Sequence, residues 1–236
     1  MARRIRICSL SLLLLWVSGA APATKPAFTP TADYTRKTIR GWSVLVNDDL
    51  LAKHPKVAAD CLELLDHKLY DITRVVPPKA LDKLQRVPIW LEGNDPLFPG
   101  GCYHPSRQWL IEHGLNPEKA KGVELANARN FLKWTIDQPS MVLHELAHAY
   151  HDQVLGYDHA EVHAAYVRAK DSKTYDSILR GGGRMEKAYA MNNDQEYFAE
   201  LTEAYFGTND FYPFVRAEVK QHDPKMYELL KKVWEE

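Results

Sequence analysis

Three cysteines in 236 residues are too few for a disulfide-built scaffold, and no Cys-x-x-Cys pair suggests a thiolate metal site. Charge of one sign is lacking as well. Thirty basic residues face 31 acidic ones, a formal net of −1, so nothing favours nucleic acid as a partner. No internal repeat or low-complexity tract is present, which argues against solenoids and propellers. The apolar run Ile7–Val17 has 11 residues, short of the roughly 20 that a membrane-spanning helix needs. What remains is 45% apolar and 26% charged, with 14 prolines and 12 glycines, the composition of a globular protein with a sizeable core.

That short run belongs to an N-terminal signal segment. Arg3, Arg4 and Arg6 form a positive start, Ile7–Val17 the apolar middle, and Ala21-Pro22-Ala23 a small-x-small cleavage site. Cleavage after Ala23 is expected, with Ala21 or an uncleaved anchor as alternatives, and the mature chain is secreted or periplasmic. Cleavage removes three basic residues, leaving 27 against 31 acidic and a formal net of −4. It also removes Cys8. Cys61 and Cys102 remain, either as one disulfide or, since Cys61 sits on an apolar helix stripe, as buried thiols.

Residues 24–33, with Pro26 and Pro30, read as an extended leader, and residues 34–236 as one domain. Trp42–Val46 alternates like a half-buried strand. A long helix is expected over Pro55–Val75, with Val57, Cys61, Leu65, Leu69, Ile72 and Val76 in its apolar stripe. Pro55 suits its first turn and Pro77-Pro78 stops it. Val87–Leu91 and Val123–Ala126 are strand candidates, either of which could pair with a substrate backbone, and Trp109–Ile111 is a weaker one. Gly93–Ser106 reads as a loop. From Pro139 the character turns helical: about 139–155 ended by Gly156, 159–170, 194–206 ended by Gly207, and a last helix from Pro224. Strands first and helices after imply an α+β architecture, with a sheet-containing lobe to about residue 137 and a helical lobe beyond. A cleft is expected near that switch.

The chemistry starts at Val142-Leu-His144-Glu145-Leu-Ala-His148, an HExxH motif on a predicted helix. Histidines four apart project from one face, close enough for both imidazoles to reach one zinc ion. Glu145, beside the first of them, can approach a zinc-activated water. A third ligand is needed. The metzincin position is Val154, with His151 where the pattern has glycine, so that class is excluded. His151 reads as a surface group or one behind the metal. His159 and His163 read as a solvated polar face. A later helix carries Glu196, Glu200 and Glu203 at steps of four and three, and spacing alone does not separate Glu196 from Glu200. Gly181-Gly182-Gly183 reads as a surface loop, with a flap over the cleft as the alternative.

The run Tyr189-Ala-Met-Asn-Asn-Asp-Gln-Glu196-Tyr-Phe-Ala-Glu200 resembles the matching segment of the anthrax lethal factor-like peptidases, which include the clostridial Pro-Pro endopeptidases. The resemblance covers about residues 139–206. The whole chain also resembles a group of secreted bacterial metallopeptidase-like proteins. The resemblance implies a gluzincin-type, zincin-like enzyme holding one zinc ion on His144, His148 and Glu196. It implies Glu145 as general base, Tyr189 as the hydroxyl that steadies the oxyanion, and Glu200 as the group orienting a ligand histidine. The expected function is therefore a zinc-dependent endopeptidase acting on a peptide or protein substrate. The alternative is a catalytically silent zinc-binding or surface protein that keeps the fold.

Overall fold

The computed structural model describes residues 28–95 and 97–235, so the expected signal segment lies outside the described residues. Strand β1 (Tyr34–Ile39) turns into β2 (Trp42–Asn47) through Arg40-Gly41, both at positive φ as a tight hairpin demands. Helices α1 (Asp48–Lys53), α2 (Pro55–Val75) and α3 (Pro78–Leu84) follow, then β3 (Ile89–Leu91) and β4 (Gly101–Tyr103). Next come α4 (Arg107–Glu112), β5 (Val123–Leu125) and α5 (Ala128–Trp134). The remainder is mainly helical: α6 (Met141–Tyr150) running on into a π turn over His151–Leu155, then α7 (Ala160–Ser172). A small hairpin of β6 (Ile178–Leu179) and β7 (Met185–Glu186) precedes α8 (Asp194–Phe206), α9 (Arg216–His222) and α10 (Pro224–Glu235). The architecture is α+β.

Five strands make one mixed sheet in the order β1-β2-β3-β5-β4. The two outer pairs are antiparallel and the two inner pairs parallel. Alternation sorts its faces. Val44, Val46, Ile89, Leu91, Val123 and Leu125 enter the main core, which also takes the buried stripe of α2 and the apolar positions of α6 and α8. On the other face Tyr34, Leu45 and Trp90 form a small cluster. Beside it Lys119 Nζ lies 2.7 Å from Glu92 and 2.5 Å from Glu124, and His104 Nε2 lies 2.6 Å from Glu124. Burial alone would raise the Glu124 carboxyl, but His104 and Lys119 hold it below its ordinary value.

Helix α2 spans the expected residues, and its stripe is buried except for the half-buried Val57. Cys61 is a buried free thiol 3.2 Å from the Ala128 carbonyl, and burial pushes its pKa up to about 12; Cys102 is also free. The two cysteines are not joined in this structure.

Three expectations need correction. The Gly93–Ser106 loop contains β4, a three-residue strand whose Gly-Cys-Tyr sequence shows no alternation and whose order comes from pairing with β5. Trp109–Ile111 is helical within α4, because Ser106 Oγ caps the Trp109 N–H and Trp109 stacks on His113 one turn on. Val87–Leu91 and Val123–Ala126 are not free to add a substrate strand: β3 lies between β2 and β5, and β5 between β3 and β4. The sheet's free edges are β1 and β4.

Candidate metal centre

Helices α6 and α8 build the centre by packing antiparallel. At one end the Ser140 hydroxyl donates to the Thr208 carbonyl at 2.8 Å and accepts from the Thr208 N–H at 3.1 Å. Gly207 makes this approach possible, since a Cβ there would lie 2.8 Å from Ser140 Oγ. At the other end His148 meets Glu196, whose backbone N–H is capped by the Asn193 side chain at 2.8 Å. Apolar flanks hold the pair together: Val142, Leu143, Leu146 and Ala147 on α6, and Tyr197, Phe198 and Leu201 on α8, are buried.

Three donor atoms converge. His144 Nε2 is 3.1 Å from His148 Nε2 and 3.1 Å from Glu196 Oε2, and His148 Nε2 is 3.3 Å from the same oxygen. Tetrahedral zinc with bonds of 2.0–2.1 Å has ligand–ligand edges of about 3.3 Å, so the spacing suits that ion. The electrostatics agree. Burial works against charge on His144, yet its hydrogen bonds to Glu196 and Glu203 outweigh that, so the pocket favours a positive charge between these groups. Glu196 is likewise held far below the usual carboxylate range, against its burial, by the two histidines. Two imidazoles and one carboxylate therefore fit a zinc ion.

Of the trio, His144 lines a cleft of about 560 Å³ between β4 and the helical half. Glu145 lies in its wall and is buried beside β4: a Cβ on Gly101 would come within 3.0 Å of Glu145 Oε1. Gly101 and Cys102, on the free side of the edge strand, line the same wall. Tyr189 opens a short 3₁₀ turn on the opposite rim, 46% exposed, with its ring centroid 6.5 Å from that of His144. Burial and the nearby Glu196 raise its hydroxyl above the ordinary value, which keeps it a proton donor. Gly181–Gly183 forms the tip of the β6–β7 hairpin. That hairpin is pinned to a neighbouring segment by the Gly181 N–H to Asp210 carbonyl bond at 2.7 Å and the Tyr212 N–H to Leu179 carbonyl bond at 2.9 Å.

Behind His144 the arrangement departs from expectation. Glu203 Oε1 is 2.6 Å from His144 Nδ1, whereas Glu200 Oε1 is 3.9 Å away. The contact expected of Glu200 is thus made by Glu203, one helical turn further along α8. Glu200 is buried, its Oε2 has no hydrogen-bond partner among the described residues, and burial with the adjacent Glu203 raises it well above the usual carboxylate range. His151 is a second departure: it is fully buried, between Tyr157 and Phe198, rather than at the surface or behind the metal ligands. His159 caps α7 and His163 pairs with Asp194 at 2.9 Å, so neither joins the trio.

Residues 129–233, from α5 into α10, match the family model described as anthrax toxin lethal factor, N- and C-terminal domain. The matched stretch, less than half of the chain, is similar to that family and contains His144, Glu145, His148, Tyr189 and Glu196. No curated protein and no solved structure matches the chain. The sheet-bearing half, which forms the β4 wall of the cleft, lies outside the matched stretch.

Proposed function

We propose that this protein is an exported, zinc-dependent endopeptidase of the gluzincin type, with His144, His148 and Glu196 as metal ligands. The observation that carries the reading is the convergence of those three donor atoms at 3.1–3.3 Å, with His144 on the wall of a cleft that also contains the buried Glu145 and an edge strand. Zinc held there supplies Lewis acidity, polarising a peptide carbonyl and easing the ionisation of water.

The chain's own groups do the rest. The outward N–H and C=O groups of β4 pair with an extended substrate backbone, adding it as a further strand and presenting the scissile bond to Glu145. Glu145 takes the proton of the attacking water and hands it to the leaving amine. The Tyr189 hydroxyl donates a hydrogen bond to the carbonyl oxygen as negative charge builds on it. Burial of the Glu145 wall keeps bulk water from competing for these bonds. The N-terminal signal segment accounts for export, and a mature chain beginning at Thr24 is its mass-spectrometric signature.

The test is metal analysis with peptide-library proteolysis on wild type, Glu145→Gln and Glu196→Ala. Wild type is expected to hold one zinc and cleave. E145Q keeps the zinc and loses activity by about 10²–10⁴-fold, the range typical of a positioned general base. E196A loses the metal. Stoichiometric zinc without cleavage in any variant favours the silent zinc-binding protein instead, and absence of zinc from wild type rejects the reading.

A further inference from the structure

We infer that Glu203, and not Glu200, is the positioning residue that holds His144 in the orientation and protonation form a metal ion requires; this rests on the zinc reading above. Spacing along α8 leaves the two glutamates equivalent, and the packing of α8 on α6 separates them. The Ser140 hydroxyl clamps the start of α6 to the end of α8 at Gly207-Thr208. His144 lies one turn into α6 from that clamp, and Glu203 one turn back along α8. In an antiparallel pair those positions are level. Glu200 lies nearly a turn beyond, between the levels of His144 and His148. The distances follow this register: 2.6 Å from His144 Nδ1 to Glu203 and 3.9 Å to Glu200.

A contact of 2.6 Å between an imidazole N–H and a buried carboxylate is a charge-assisted hydrogen bond. With Nδ1–H donating to Glu203, the lone pair of His144 stays on Nε2, the atom that faces His148 Nε2 and Glu196 Oε2. The carboxylate also makes the imidazole a stronger donor to the cation. Loss of such a partner typically weakens metal affinity 10–100-fold. Glu200 contributes none of this, since its Oε2 has no hydrogen-bond partner among the described residues and its Oε1, at 3.9 Å, is out of hydrogen-bond range of the ring.

The experiment compares wild type, Glu203→Gln and Glu200→Gln by zinc affinity, measured against a chromophoric chelator, and by the absorption spectrum of the Co²⁺-loaded proteins. E203Q is expected to lose about 10–100-fold in zinc affinity and to shift the cobalt bands. E200Q is expected to stay within about threefold of wild type with unshifted bands, a difference that a merely structural role for Glu203 would not produce. Should E203Q fail to fold, ¹⁵N-histidine NMR of the zinc-loaded wild type decides. A proton retained on His144 Nδ1 with Nε2 as the metal donor supports the inference, and the opposite form overturns it. Equal zinc affinity in E203Q and wild type, or the larger loss in E200Q, overturns this inference alone. A wild type that binds no zinc overturns it together with the proposed function.

Discussion

His151 is fully buried between Tyr157 and Phe198, and neither ring nitrogen has a hydrogen-bond partner among the described residues. Desolvation, against weaker charge effects from Asp194 and Asp152, depresses its pKa to about 4. In the unfolded chain the same ring titrates near 6.5. Between those values the unfolded state binds more protons than the folded one, so stability must fall as pH drops from about 6.5 toward 4, at up to roughly 1.4 kcal/mol per pH unit from this residue. Urea unfolding of metal-free protein across that range checks it, and His151→Leu should flatten the slope. In the sequence His151 shares the helix face of His144 and His148 but lies one turn beyond them, which reads as a surface group or one behind the metal. That α8 brings Phe198 against it is invisible there. Glu203 shows the same limit: its residue type and helix face are legible, its partner is not.

At the scale of elements, α10 locks the two helices that carry the centre. Trp234 stacks on Tyr150 of α6 with centroids 4.0 Å apart and lies parallel to Phe198 of α8 at 6.0 Å, while its indole N–H reaches Thr202 Oγ1 at 3.3 Å. The Tyr150 hydroxyl returns a hydrogen bond to the Val233 carbonyl at 2.9 Å. Trp234→Ala removes a buried indole from this junction, and a loss of about 3–5 kcal/mol is expected, read as a lower urea midpoint. The long elements were legible because their periodicity is local: α2 over Pro55–Val75, α8 from its Asn193 cap to Gly207, and α10 from Pro224. The short ones were not. Strand β1 exposes four consecutive residues, Thr35 to Thr38, and so carries no alternation, and β4 depends wholly on β5 for its hydrogen bonds.

At the scale of the whole molecule, the proposed zinc ion would couple the two halves of the site to folding. The groups that could hold it come from α6 and α8, which meet only in the folded state, so zinc would bind the native chain far better than the unfolded one. Zinc at a hundred times its dissociation constant adds about 2.7 kcal/mol, and its removal by a chelator should lower the melting temperature by roughly 5–10 °C. Calorimetry with and without chelator checks this, and E196A should be insensitive. The α+β class, the helix bearing His144, Glu145 and His148, and the three acids on a later helix were determined by the sequence alone, because each is written in residue type and spacing along one continuous segment. Which strand edge is free, that Glu203 rather than Glu200 reaches within hydrogen-bond distance of His144, and that His151 is sealed in the core were decided only by tertiary packing. Those outcomes depend on the register between segments distant in the chain, set by contacts such as Ser140 against Gly207, and no local pattern records which residues will be level when two helices meet.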